Sequence, residues 1–477
     1  MRNLSMMTDL YQLTMMYGYY RENKHERLAV FDGFYRTAPH NGGFAIAAGL
    51  EQAIEYINNL KFNDEDIAYL RSLNLFDEDF LKFVKNFKFT GEIYALPEGT
   101  VFFPKEPFIR VKAPIYQAQL VETALLCIIN HQTLIASKAM RVCTAACGDS
   151  VLEFGLRRAQ GPDAGIYGAR ATIVGGCDFT SNVLMGEMYD QPTKGTHAHS
   201  WVMAFPSELE AFRAYARVFP SSCMLLVDTY DTLKSGVPNA IKVFDELKEQ
   251  GYTPVGIRLD SGDLAYLSKQ ARKMLDEAGH TEAKIFASSD LDEYTIADLK
   301  MQGAKIDVWG VGTRMITGGD CPSLGGVYKL AAVEEDGVLQ PRMKLSDNIE
   351  KVTNPGVKNV LRLYDKNGYS LADLIALEDE EIDTAKELTI YDPISTWKQT
   401  QISDFSIKKL LVPVFVDGKQ VYESPDLISI REYCKKEMGT FFDEYKRLIR
   451  PHRYKVDLSD KLYDLKKELT REFKKRG

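Results

Sequence analysis

Cysteine is scarce and unpatterned, with seven residues scattered over a chain of 477 and no CxxC pair. That usage excludes a disulfide framework of the small secreted kind and a thiolate zinc module. Cys143 and Cys147, four apart in an Ala-rich helical stretch, read as buried free thiols and receive no catalytic role. Long apolar runs are missing too. The Met-rich start from Met1 to Tyr20 is interrupted by Arg2, Asp9 and Gln12, so it reads as neither signal peptide nor membrane span, and a cytoplasmic location is expected. Nor is there an excess of positive charge. A formal net charge of −8 argues against general affinity for nucleic acid or anionic membranes, so any phosphate must be held by a local cluster.

What is present is an ordinary globular composition, 45% hydrophobic and 26% charged, in a chain long enough for two or three domains or one elaborated barrel. Between Leu225 and Arg314 one unit repeats: a short apolar run ending in carboxylates or small residues, then an amphipathic stretch stopped by glycine or proline. The runs are LLVDTYDT, VGIRLDSGD, KIFASSD and KIDVWGVGTR. Strands alternating with helices imply parallel βαβ units, which present the carboxyl ends of all their strands on one side. Asp228, Asp231, Arg258, Asp260, Asp263, Ser288, Ser289, Asp290, Gly310, Gly312, Thr313 and Arg314 therefore converge, a mixture suited to a hydroxyl-rich, phosphorylated ligand.

On either side of this core the character changes. The segment from Thr8 to about Phe87 reads as mostly helical, and 91–114, broken by four prolines, reads as short strands. After Gly325 strand-like pieces return, with turn dipeptides Asp336-Gly337 and Asn367-Gly368, so a β-rich domain is expected to be discontinuous. From Pro425, with Ser424 as N-cap, the chain reads as helical, and its Lys- and Arg-rich end as a solvated basic tail. The expected fold class is α/β: an irregular α/β barrel with a discontinuous β-rich domain and a helical C-terminal region. The expected divisions are an N-terminal helical and β-rich region over 1–130, a barrel catalytic domain over 131–325, and a C-terminal region over 326–477 that completes the β-rich domain and adds the terminal helices.

Within the core, Arg258 and Asp260 lie on one side of an alternating strand, and a charged pair in an apolar strand needs a partner. For Ser261 and Asp263 a helix-cap role and a ligand role are both open. FASSD and GVGTR look like phosphate cradles, small residues letting backbone N–H groups approach an anion and a helix N-terminus after Ser289 and Asp290 adding its dipole. Arg157 and Arg158, adjacent in EFGLRRAQGPDAG with Arg170 beyond, suit bidentate recognition of phosphate or carboxylate. In GTHAHSW, His197 and His199 lack further ligands at metal spacing. A nucleophile or acid–base role fits their position before the helix that Ser207 and Glu210 cap.

Taken in order, TDLYQLTM, EFGLRRAQGPDAG, GTHAHSW, LLVDTYDT, IRLDSGDL, FASSDLDE and GVGTR closely resemble the nicotinate phosphoribosyltransferases, over about Thr8 to Leu330. That resemblance implies ATP-coupled formation of nicotinate mononucleotide and pyrophosphate from nicotinate and phosphoribosyl pyrophosphate in NAD salvage, through a phosphohistidine. It implies a homodimer with sites at the subunit interface, ATP as co-substrate and Mg²⁺ as cofactor. His199 would be the phosphorylated histidine, with Asp228 and Asp260 facing the ribose or Mg²⁺. Tyr11, reaching from the partner subunit, and Phe179 would sandwich the pyridine ring, with Thr196 and Arg258 beside it. Arg157, Arg158, Arg258, Ser288, Gly310, Gly312 and Thr313 would line the phosphoribosyl pyrophosphate. His197 would be a neighbour the family does not require. The sister nicotinamide enzyme is the nearest alternative; a quinolinate enzyme, a silent binding protein on the same scaffold and a sugar-phosphate aldolase or isomerase fit the motifs less well.

Overall fold

The computed structural model describes residues 3–346, 351–395 and 397–476, and the chain falls into two compact units, one of Ile135–Pro322 and one of Met1–Leu134 with Ser323–Gly477. It is a mixed α/β protein. In the unit 135–322 six parallel strands form one sheet: β1 (Ser150–Glu153), β2 (Phe179–Thr180), β3 (Met224–Leu226), β4 (Gly256–Leu259), β5 (Lys284–Ser288) and β6 (Val308–Val311). Their order is β2-β1-β6-β5-β4-β3, so β2 and β3 are the end strands. The connections carry α1 (Pro162–Val174), α2 (Glu208–Val218), α3 (Val237–Glu249), α4 (Leu264–Glu277) and α5 (Glu293–Met301).

The strands read as continuous apolar runs because helices cover them. Leu225, Ile257, Leu259, Ile285, Trp309 and Val311 are all buried, at roughly 1.5–3 kcal/mol for each large side chain removed from water. The helices start and stop as their local chemistry dictates. Pro162 opens α1, Asp263 and Asp292 cap α4 and α5, and Gly251, Gly279 and Gly303 take positive φ where α3, α4 and α5 end.

The other unit builds a seven-stranded sheet from both ends of the chain: Leu28–Tyr35 lies between Gly326–Glu335 and Ile109–Pro114, followed by Glu92–Ala95 and Val412–Val416. A second sheet takes six strands from Lys358–Tyr364 to Val456–Leu458.

Two expectations of secondary structure need correction here. The segment read as mostly helical from Thr8 to Phe87 does contain helices at Leu10–Arg21, Leu50–Asn58, Asp64–Ser72 and Glu78–Lys85, but Leu28–Tyr35 is a strand near the middle of the seven-stranded sheet. Buried on both faces, it shows no alternation to betray it. Asp426, not Ser424, caps the helix Leu427–Gly439, accepting from Ser429 N–H. The basic end is helical, Asp460–Arg476, with Lys467, Glu468, Arg471 and Glu472 exposed as expected, but Lys466 turns inward to donate to Asn354 Oδ1 at 2.8 Å, burial lowering its pKa to about 8. None of the seven cysteines is in a disulfide, and Cys147 is exposed and Cys143 half-buried rather than buried as expected. No helix among the described residues is long and apolar enough to cross a membrane.

Candidate active site

At the carboxyl ends of β1, β4, β5 and β6 a cavity of about 480 Å³ opens. Arg157, Arg158, Thr196, Arg258, Asp260 and Ser288 line it, as do Ser289, Asp290, Gly310, Gly312 and Thr313. Its volume is enough for a sugar phosphate, and many of its walls are polar groups carried on strand ends that the sheet fixes relative to one another.

Arg258 is the hub. Its Nε donates to Ser288 Oγ at 2.8 Å, Nη1 to Thr196 Oγ1 at 3.0 Å and Nη2 to Asp260 Oδ1 at 2.7 Å, tying β4, β5 and the 193–199 segment together. Its guanidinium carbon lies 5.5 Å from the centroid of the Phe154 ring. Ser288 Oγ also donates to Asp260 Oδ1. Burial by itself would raise the Asp260 pKa, but the Ser288 hydroxyl and the Arg258 charge outweigh it and hold the carboxyl below its ordinary value.

His199, its side chain 38% exposed, follows the cavity-lining Ala198 but is not itself among the lining residues, and its Nε2 lies 3.1 Å from Asp228 Oδ1. Asp228 is sealed, at 2% exposure, and its other oxygen accepts from Asp260 N–H at 2.8 Å and Ser261 Oγ at 2.6 Å. One carboxylate thus joins the histidine to the turn after β4.

The backbone around the cavity is shaped for close approach. A side chain at Gly310 would place a Cβ 2.8 Å from the Phe154 ring, and one at Gly312 would meet Phe154 O at 3.2 Å. Ser289 and Asp290 hold φ of 131° and 27°, a left-handed conformation that non-glycine residues take at a cost and that clusters where ligands are gripped.

Other expected residues do different work. Asp263 accepts from Tyr266 N–H and Asp231 from Leu233 and Lys234 N–H, so both act as caps. Hydrogen bonds from that backbone, Lys234 N–H foremost, hold Asp231 below its ordinary pKa. Arg314 pairs with Asp320 at 3.0 Å, and Arg170 is buried over the Tyr189 ring. The N-terminus of α5 offers its first-turn N–H groups to its own cap, since Tyr294 and Thr295 donate to Asp292 Oδ1. The dipole expected after Ser289 and Asp290 thus already has a carboxylate on it. Phe179 forms β2 with the Lys194 ammonium 3.7 Å from its ring centroid. Tyr11 belongs to the other unit, on the helix Leu10–Arg21, 48% exposed, its hydroxyl donating to Glu122 at 3.4 Å.

Sequence reasoning missed Glu153, at the end of β1. Its carboxylate accepts from Gly155 N–H and, at 2.6 Å, from Thr180 Oγ1, fixing at once the turn that carries Arg157 and Arg158 and the strand that carries Phe179. Burial raises its pKa despite those two donors. The signal was a lone carboxylate closing the apolar run SVLEF.

Models of the nicotinate phosphoribosyltransferase N-terminal and C-terminal domains match residues 6–130 and 357–466. Over 476 residues, covering 99% of this chain and 96% of the relative, it is 48% identical to nicotinate phosphoribosyltransferase of Bacillus subtilis. The chain belongs to the nicotinate phosphoribosyltransferase family. It is 34% identical to the Homo sapiens nicotinate phosphoribosyltransferase, covering 96% of this chain and 95% of that one. The crystal structure of human nicotinic acid phosphoribosyltransferase superposes with a TM-score of 0.85 at 32% identity, covering 97% of this chain and 99% of that one. A nicotinate-nucleotide pyrophosphorylase from Pyrococcus furiosus shares the fold at a TM-score of 0.71 and 22% identity, over 92% and 96% of the two chains.

Proposed function

We propose that this member of the nicotinate phosphoribosyltransferase family transfers phosphoribosyl from phosphoribosyl pyrophosphate to nicotinate in NAD salvage in the cytoplasm, and couples the reaction to ATP through a phosphohistidine on His199. The observation that carries the reading is the pairing of His199 with a sealed Asp228 beside the Arg258–Asp260–Ser288–Thr196 network of a phosphate-sized cavity.

In the transfer the pyridine nitrogen attacks the anomeric carbon, the carbon–oxygen bond to pyrophosphate breaks, and its electron pair leaves on the pyrophosphate. The nitrogen is already nucleophilic, so no strong base is required. The oxocarbenium-like transition state instead needs fixed charge and orientation. Arg157 and Arg158 meet the phosphates, and Ser288, Thr313 and the backbone at Gly310 and Gly312 cradle them. Arg258, held on three sides, keeps Thr196 and Asp260 in place beside the pyridine and the ribose. Phe179 and a partner subunit's Tyr11 clasp the ring in a homodimer. The parallel sheet is then an irregular barrel, and the 193–199 segment fills the seam between β2 and β3.

Asp228 fits Mg²⁺ poorly as a direct ligand, because both its oxygens are taken by His199, Asp260 N–H and Ser261. Asp260 fits better. Its Oδ1 is engaged by Arg258 and Ser288, while no described residue donates to its Oδ2, which suits an ion that keeps most of its ligands as water and phosphate. Charge neutralisation on the departing pyrophosphate is the chemistry that ion would supply.

The His199 pairing supports one nitrogen as the reactive one. Asp228 accepts from Nε2–H, leaving Nδ1 as the free lone pair. The γ-phosphoryl of ATP therefore transfers to Nδ1, its bond to ADP breaking with the electron pair leaving on ADP.

The test is mononucleotide formation from phosphoribosyl pyrophosphate and Mg²⁺ with nicotinate or nicotinamide, each with and without ATP. Product from nicotinate that rises with ATP is expected; product from nicotinamide alone would move the chain to the sister activity. His199→Ala should uncouple ATP hydrolysis from product, and fully coupled turnover in that variant would sink the phosphohistidine.

A further inference from the structure

We infer that His197 is a positioning residue: its imidazole takes the place of a strand carbonyl at the open edge of β3 and sets the register in which His199 and Thr196 meet the strand ends.

As an end strand, β3 has a partner on one side only. Val227 N–H donates to Arg258 O at 3.1 Å on the β4 side, so the N–H of Leu226, one residue back, points the other way. Leu226 is buried, and a buried N–H left without an acceptor is costly. His197 Nε2 supplies that acceptor at 3.2 Å.

At its other end the same segment joins β2. Thr193 forms a parallel bridge with Thr180, and Lys194 N–H donates to Thr180 O at 2.9 Å. Residues 193–199 thus run from one end strand to the other.

The register is regular. His197 meets Leu226 and His199 meets Asp228, each pair 29 residues apart in sequence. The segment therefore runs alongside β3 in step with it until the helix His199–Met203 begins, the His197 imidazole doing what a backbone carbonyl does elsewhere and the His199 imidazole meeting a carboxylate. A slip at the first contact moves the second.

The ring is held so that only this role is open to it. It is buried, 7% exposed, with the Tyr215 ring edge-on at 4.8 Å between centroids. Nδ1 lies 3.4 Å from Ala198 O, which orients the proton onto Nδ1 and leaves Nε2 to accept. Burial first, then the nearby Arg258 and His199, lower its pKa to about 4, so it stays a neutral acceptor through the working pH range.

The structural part of this inference is independent of chemistry; its catalytic consequence rests on the phosphohistidine reading above. The experiment compares His197→Phe, which keeps a ring against Tyr215 and loses the acceptor, with His197→Gln, whose Oε1 reaches where Nε2 was. Amide hydrogen exchange at Leu226, ATP-dependent phosphorylation of His199, and kcat and KM for nicotinate are measured in the intact protein.

In the Phe variant, Leu226 exchange should quicken by roughly tenfold, the worth of one hydrogen bond, while exchange in β5 stays put. Its ATP-coupled kcat should fall about tenfold or more with KM for nicotinate little changed, and Gln should restore most of both. Unchanged Leu226 exchange in the Phe variant, or a Gln variant as impaired as Phe, would overturn the assignment. Should Phe not fold, Gln decides alone: protection at Leu226 close to the native value supports the inference and its loss overturns it. A native protein that never becomes phosphorylated would remove the phosphohistidine reading and leave the exchange result to judge the anchor by itself.

Discussion

Two arginines, one in each unit, are bonded on every side and end in different surroundings. Arg362, on the strand Lys358–Tyr364, is 0% exposed and donates to Asp373 through Nε at 2.8 Å and Nη2 at 2.6 Å, to Glu437 at 3.0 Å and to Val101 O at 2.7 Å. Lys408 adds a second cation against Glu437 at 2.7 Å, and Glu106, buried and facing Asp373, has its pKa pushed well up. Charge there is balanced, and Arg362, Asp373 and Glu437 are walled off, while Lys408 reaches out to water. Arg258 is also held on three sides, but its side chain is 16% exposed and its partners Thr196, Asp260 and Ser288 all line a cavity. A buried ionic network that closes on itself specifies the fold. One whose members face an opening can act on what enters it.

The comparison is sharpened most by Arg362→Leu. Removing the arginine strands Asp373 as an uncompensated buried charge, while Glu437 keeps Lys408, and a loss of about 3–5 kcal/mol is expected in denaturant unfolding. KM of whatever folds should be unchanged. A variant within about 1 kcal/mol of the parent would mean that the cluster tolerates a missing cation, contrary to its sealed geometry.

Arg258→Gln is the counterpart. It should lower kcat/KM by about 10²–10³, as loss of a preorganised site cation does, while the unfolding midpoint moves little because Asp260 keeps Ser288 and access to water. A large stability loss with catalysis intact would put Arg258 in the same class as Arg362. Next in size, Asp228→Asn leaves the side chain's shape and removes the charge that His199 faces. ATP-dependent phosphorylation should slow by roughly 10²-fold, with nicotinate turnover in the absence of ATP less affected. Equal loss of both would show that Asp228 serves the turn after β4 rather than the histidine.

The sequence made the Arg258 region legible and the Arg362 region nearly opaque, for a physical reason. Parallel βα units announce themselves locally: an apolar run, a polar strand end, a capped helix and a stop, all within about 30 residues. Arg258, Asp260, Ser288 and Gly310 could therefore be brought to one side from periodicity alone, and they share one cavity. Arg362 and Asp373, 11 residues apart, share a hairpin whose Asn367-Gly368 turn the sequence shows, but Glu437 lies 75 residues away and Val101 261, and partners at such distances leave no local pattern. The strand Leu28–Tyr35 was missed on the same account, since it pairs with Gly326–Glu335 some 300 residues on. Inside the legible region the gaps were side chains with one contact each way. Glu153 satisfies the Gly155 N–H in the turn after β1, and His197 satisfies a Leu226 N–H whose lack of a partner appears only once the sheet has an end.

The smallest effect bears on a choice that the sequence left open. Asp263, in RLDSGDL, could have been a ligand or a cap, and it stands only three residues beyond Asp260, which lines the cavity. Its carboxylate accepts from Tyr266 N–H at 2.9 Å, the reach of an N-cap into the first turn of α4, and it is not among the cavity's walls. Asp263→Ala should then cost about 1 kcal/mol of stability and leave kcat/KM for nicotinate and phosphoribosyl pyrophosphate where it was. Asp263→Ser, which keeps a capping oxygen without the charge, should recover most of that loss. A tenfold fall in kcat/KM in both variants, at unchanged stability, would instead return Asp263 to the site and extend the carboxylate group at the end of β4 by one.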